Sequence, residues 1–178
     1  MSIEPTQEAP FPFFQKSPRG FGEQAAGLAI FVLAGLLVQA ICNEFVQFSY
    51  LSDWFMGLAQ APWAMGKWAY GPLWIAYSLT LPVAAWLVWR THPIRAVAME
   101  IVCFSLLLFL QILWSFSFFF FRETLVGLST LLVLWAFLIA SLVLYWKRDK
   151  LAGQLLLLNF LWMSYLVSLN MVICVTNP

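Results

Sequence analysis

The chain has little charge. Only 10% of its 178 residues are Asp, Glu, Lys or Arg, with a net charge of +1, against roughly 25% charged residues in an ordinary soluble domain. Without a basic excess there is nothing to attract nucleic acid, and that class of function is set aside. The single histidine, His92, sits in a turn before Pro93 and reads as a loop residue satisfied by its neighbours. The three cysteines, Cys42, Cys103 and Cys174, lie singly inside apolar runs without metal-ligand spacing, and read as small hydrophobes. No Ser/His/Asp set, glycine-rich phosphate loop or metal cluster can be assembled from the remainder, which argues against hydrolysis, phosphoryl transfer and metal chemistry. Nor does a short apolar core with a small-residue cleavage site open the chain, so its start does not read as a secretory signal peptide.

What the chain has in excess is apolar surface, with 63% of its residues hydrophobic. A soluble fold of this size could not hide so much, whereas a helix in hydrocarbon exposes apolar side chains freely and satisfies its own backbone. Five apolar runs predict helices at about 25–42, 68–89, 97–121, 124–146 and 151–175, each near the ~20 residues that cross ~30 Å of hydrocarbon. The expected fold class is all-α integral membrane, a five-transmembrane-helix bundle in one domain over about 25–178. Residues 1–24, with Pro5, Pro10, Pro12 and Pro18, read as a flexible tail. Short charged breaks at Arg90 to Arg95, Arg122-Glu123 and Lys147 to Lys150 make the last four helices antiparallel neighbours.

The stretch 43–67 is too polar to span and too aromatic for an idle linker. Phe45, Phe48, Phe55 and Leu58 recur at near-helical spacing opposite Glu44, Gln47 and Asp53, as in a helix lying in the headgroup layer. Such a segment serves either as a lid on the bundle or as an interfacial anchor. The tail and the second and fourth loops carry Lys16, Arg19, Arg90, Arg95, Lys147, Arg148 and Lys150, against Lys67 and Arg122 on the other side. The positive-inside bias places the N-terminal tail in the cytoplasm and the C-terminus on the opposite face.

Few ionisable groups lie at depth, where a charge is expensive and seldom kept without use. Glu100 falls about one turn inside the third helix, near Arg95, where it reaches water or pairs. Glu44 and Asp53 flank the lid-like stretch, and Asp149 sits among basic residues. One well-placed acid, Glu44, Asp53 or Glu100, would suffice for proton-catalysed rearrangement of an isoprenoid. Of the ten tryptophans, Trp54, Trp63, Trp86, Trp89 and Trp146 lie near run ends, where interfacial anchoring accounts for them. Trp114, Trp135 and Trp162 lie deeper, and each needs an acceptor for its indole N–H. Gln111, one turn before Trp114, and Asn159, three residues before Trp162, are the expected partners, with Asn170 two turns after Trp162 on roughly its face. Singly, each is explained as interhelical glue. Together, they describe an aromatic pocket with a few fixed polar groups, suited to a planar hydrophobic molecule.

From Pro62 onward the chain resembles the TspO/MBR family, the tryptophan-rich sensory or translocator proteins. The resemblance is carried by Pro62-Trp63, Trp68, Gly71-Pro72-Leu73-Trp74, Leu113-Trp114-Ser115, Phe118-Phe119, Arg122, Trp135, Asp149-Lys150-Leu151-Ala152, Leu161-Trp162, Ser164, Leu169 and Asn170. It departs from the family pattern at Met65-Gly66, Gln111, Thr130 and Leu158-Asn159-Phe160, which marks a divergent member. The resemblance implies a five-helix bundle that often dimerises, although the Leu- and Phe-dense third run lacks the small-residue spacing of close helix pairs. It implies no covalent cofactor, and a porphyrin or other tetrapyrrole, a sterol or a related planar lipid as bound ligand. Carried over by position, the ligand site would comprise Trp63, Trp68, Gln111, Trp114, Trp135, Trp162, Leu166 and Asn170, with no catalytic or metal-binding residue. A receptor or carrier, a small membrane enzyme modifying a tetrapyrrole or isoprenoid, and an accessory subunit of a pigment-protein complex are the readings left open.

Overall fold

The computed structural model of the chain describes residues 19–51 and 53–177. Helix α1 spans Phe21–Leu51 and α2 is a single turn, Trp54–Gly57; α3 spans Lys67–Thr91, α4 Ala98–Ser115, α5 Thr124–Arg148 and α6 Lys150–Thr176. A 3-10 turn at Ile94–Val97 leads into α4, and a π-helical turn at Phe116–Phe120 ends it. Five of these stretches are long and apolar enough to cross a membrane, and no strand occurs among the described residues. The chain is a multi-pass integral membrane protein with the expected helix count.

Two boundaries differ from the sequence expectation. The first helix starts at Phe21, inside the expected tail, and runs on through Asn43 to Leu51, inside the expected lid. Nothing between Asn43 and Leu51 breaks a helix, as the segment holds no Gly or Pro and its polar Asn43, Glu44 and Gln47 occupy an exposed face. The stretch is thus not one helix lying flat. Phe45 and Phe48 belong to α1 and pack on Phe116 and Phe120, at ring-centroid distances of 5.2 and 5.1 Å. The described connection is residues 53–66, entered through Asp53 at a φ of 56°, a left-handed conformation that Asp tolerates better than most residues. Pro5, Pro10, Pro12, Lys16 and Pro18 lie outside the described residues.

The bundle has a basic end, where α1 begins and α3 and α5 finish, and a loop end, where the 53–66 connection lies. At the basic end, Asp149 caps two helices: its N–H closes the last turn of α5, while its carboxylate accepts from Ala152 N at 3.0 Å to start α6. A Cβ on Gly153 would lie 2.8 Å from Trp146 Cα, so only glycine lets this one-residue corner close. His92 is held by Thr91 Oγ1 and the Val88 carbonyl, at 2.8 and 3.2 Å. Arg19 lies over the Trp89 ring and donates to the carbonyls of Trp89 and His92.

Glu100 finds a different partner from the one its neighbourhood in sequence suggests. It is 1% exposed and faces α5, where its Oε1 accepts from Arg148 Nε at 2.6 Å. Arg148 also donates to Ala96 O, and the buried Tyr145 hydroxyl donates to Glu100 O at 2.7 Å. These bonds fix α4 against α5 across a span in which an unpaired charge is costly. Arg148→Met should therefore strand the carboxylate and cost about 1–3 kcal/mol, less than the ~3–5 typical of a fully buried pair because the arginine keeps water access. Thermal unfolding in detergent would read this, and Glu100→Gln combined with Arg148→Met should recover most of the loss. Simple additivity of the two single changes would show that the pair is not coupled.

Candidate functional site

The interior of the bundle holds a cleft of about 30 Å³, room for water-sized occupants and far below the ~300–1,000 Å³ of a typical ligand pocket. Its walls come from four helices: Trp74, Tyr77, Ser78 and Leu81 of α3, Leu107 and Gln111 of α4, Leu134 and Leu138 of α5, and Asn159, Trp162, Met163 and Leu166 of α6. Aromatic rings fill the space a ligand would need. Tyr77 lies flat on Trp162, with centroids 5.0 Å apart and planes within 7°, and Trp74 meets Trp162 edge-on at 6.2 Å. Trp74 in turn lies 5.9 Å from Trp114, which stacks toward Phe118.

The polar groups follow the rule that a donor inside hydrocarbon must find an acceptor within the protein. Asn159 Nδ2 donates to Tyr77 O at 3.1 Å and Thr80 Oγ1 at 3.0 Å. Trp114 Nε1 donates to Asn170 Oδ1 at 3.4 Å, and Asn170 Nδ2 to Leu166 O at 3.0 Å. Trp135 Nε1 donates to Ser164 Oγ at 2.9 Å. Gln111 reaches Gln39 on α1 at 3.5 Å, a long contact that leaves its amide available to the cleft.

Of the eight residues assigned by position, Gln111, Trp162 and Leu166 line the cleft. Trp114 and Asn170, both buried, form the pair behind its wall. Trp135 sits on the α5–α6 seam, with its ring 5.4 Å from Phe160. Trp63 and Trp68 are outside altogether, 56% and 85% exposed at the loop end, where interfacial anchoring accounts for them. Trp86, expected at the interface, is instead buried and donates to Gln24 O at 2.8 Å.

The expected indole partners also differ. Trp114 bonds Asn170 rather than Gln111, and Asn159 serves α3 rather than Trp162. Polar groups three or four residues apart on one helix share a face, but an indole reaching sideways meets the neighbouring helix first. The residues missed as lining were Trp74, Tyr77, Ser78 and the aliphatic wall. Tyr70, Trp74 and Tyr77 recur at helical spacing along one face of α3, and that spacing was the available signal.

The carboxylates considered for acid chemistry are elsewhere. Glu100 is paired at the basic end, and Glu44 and Asp53 are exposed near the loop end; none of them lines the cleft. Among the described residues no group of three His, Cys, Asp or Glu could hold a metal.

Residues 27–176 match the TspO/MBR family. The chain is similar to a tryptophan-rich protein TspO of Chlorobaculum tepidum, 27% identical over 131 residues, which cover 71% of this chain and 81% of that protein. It is also similar to a tryptophan-rich protein TspO of Archaeoglobus fulgidus, 24% identical over 146 residues, covering 82% and 94% of the two chains. The geometry separates structural amides from cleft-facing ones. Asn170→Leu, which removes the acceptor of a buried indole, should lower stability by about 0.5–2 kcal/mol, whereas Trp68→Phe at the exposed position should leave the melting temperature unchanged. Equal melting curves for Asn170→Leu and the parent would contradict the assignment of Asn170 as the partner of Trp114.

Proposed function

The chain belongs to the TspO/MBR family, and from that premise we propose that it is a membrane receptor or carrier for a planar hydrophobic ligand, a porphyrin or other tetrapyrrole, held between α3, α4, α5 and α6. The observation that carries this reading is the parallel pair Tyr77 and Trp162 beside the amides of Gln111 and Asn159. Two flat faces separated by one further layer of atoms, about 3.5 Å thick, accept a flat molecule and little else. The amides supply fixed polar contacts at its edge. The cleft as it stands is closed, so binding requires the rings to part. With the carboxylates outside it, the site works by recognition and shape.

Porphyrin added to detergent-solubilised protein should quench tryptophan emission saturably, at micromolar concentration or tighter, about −8 kcal/mol at 1 μM. A linear, unsaturable decline would mean partitioning into the micelle and would end the tetrapyrrole reading. Trp162→Phe and Gln111→Leu should each weaken binding by about 1–3 kcal/mol, the cost of an unmatched buried polar partner, while Trp146→Phe, far from the cleft at the basic end, should bind as the parent does.

The same reading places the basic end in the cytoplasm, with Arg90, Arg95, Lys147, Arg148 and Lys150 there attracted by the positive-inside bias. Reporter fusions after residues 93 and 149 should report cytoplasm and a fusion at the C-terminus the opposite face. Fusions after 93 and 149 that report the opposite face would overturn the orientation, and both termini on one side would overturn the five-helix count.

A further inference from the structure

The wall that α3 gives the cleft is built in two unlike halves. Between Leu81 and Val88 every residue but Val83 is buried, whereas none of residues 68–80 is. The cause lies in α1. Toward the basic end, α1 holds α3 through glycine notches: a Cβ on Gly27 would stand 2.2 Å from the Trp89 ring, and one on Gly35 would stand 2.4 Å from Pro82 Cγ. Beyond Gly35 the contacts of α1 pass to α4 and the π turn. Gln39 meets Gln111, the Cys42 carbonyl accepts from Ser115, and Phe45 packs on Phe116.

The Gly35 notch seats α1 against Pro82. Its ring carries no N–H for the carbonyl of Ser78, so α3 is weakest where its support from α1 ends. Pro72 lies within the same half, between Lys67 and Pro82. That half is tied to α6 by ring contacts of Tyr70, Trp74 and Tyr77 with Trp162 and to α4 by Trp74 against Trp114, and its hydrogen bonds to α6 from within the helix are those of the Asn159 amide, donating to Tyr77 O and Thr80 Oγ1. The Asn159 side-chain oxygen, Oδ1, accepts no hydrogen bond from the described residues, although Asn159 lines the cleft. One side chain thus touches both the cleft and the tie.

We propose that α3 between Lys67 and Pro82 is the mobile wall of the cleft, hinged at Pro82 and latched to α6 by Asn159. Swinging this half away from α6 parts Tyr77 from Trp162, which opens a slot between two flat faces. A planar ligand with a hydrogen-bond donor at its edge then engages the Asn159 oxygen and competes with closure. This inference rests on the ligand-binding reading for its purpose, and on the helix contacts alone for its existence.

The test uses no ligand, so its failure is distinguishable from failure of porphyrin binding. Leu166→Cys places a thiol on the cleft wall beneath the mobile half, at a position that is 1% exposed, and Ala84→Cys places one in the held half, at a position that is 0% exposed. Each variant is treated with N-ethylmaleimide in detergent, and modification at that position is followed by peptide mass spectrometry, which separates it from the native cysteines. Asn159→Leu should raise the rate at position 166 about tenfold, as the loss of two ordinary hydrogen bonds implies, and Thr80→Val, which removes one acceptor, about threefold. Pro82→Ala restores a donor to the Ser78 carbonyl and should slow labelling at 166 severalfold. Position 84 should stay protected throughout. An unchanged rate at 166 in Asn159→Leu and Thr80→Val would overturn the latch, and an unchanged or faster rate in Pro82→Ala would overturn the hinge. A parallel rise at 166 and 84 would show general loosening in place of a hinge.

Discussion

In hydrocarbon a polar group has no water to turn to, and every donor left inside the bundle must be met by an acceptor on a neighbouring helix. Most of the helix-to-helix arrangement here follows from that demand. The Trp114–Asn170 bond ties α4 to α6, the Trp135–Ser164 bond ties α5 to α6, and Asn159 ties α6 to α3. At the basic end the Glu100–Arg148 pair does the same for α4 and α5. Lipid gives the remaining apolar faces little reason to prefer one neighbour over another, so these few bonds, with the glycine notches, set which faces turn inward.

The same demand explains why the closed cleft is lined as it is. An empty apolar volume of ligand size would forfeit the dispersion contacts of its walls, so Trp74, Tyr77 and Trp162 fold onto one another and leave about 30 Å³. The cleft is therefore marked by the geometry of its rings and amides rather than by its volume. The π turn at Phe116–Phe120 contributes at the loop end, its extra residue allowing Phe118 to meet Trp54 while Phe116 and Phe120 meet α1. Such turns often accompany functional sites.

The helix count, the antiparallel order and the family were legible in the sequence, because run length and loop length are local quantities that the bilayer thickness constrains directly. The site was legible only in part. Gln111, Trp162 and Leu166 line the cleft, whereas Trp63 and Trp68 are exposed at the loop end, since a tryptophan near a helix start serves an interface as readily as a pocket. The end of α1 was misplaced for a related reason: polar residues on one exposed face resemble the beginning of a loop, yet a helix without Gly or Pro continues through them.

Composition and spacing by themselves determined that this chain crosses a membrane five times, that its basic residues gather at one end, and that tryptophans and amides lie at depth. These follow from the transfer energy of each residue, which needs no knowledge of its neighbours. Only the tertiary structure decided which amide meets which indole, that Glu100 pairs with Arg148, and that α3 meets α1 on one side of Pro82 and Asn159 and Trp162 of α6 on the other. Those choices depend on the rotation of each helix about its axis, which is fixed by contacts between residues far apart in the chain.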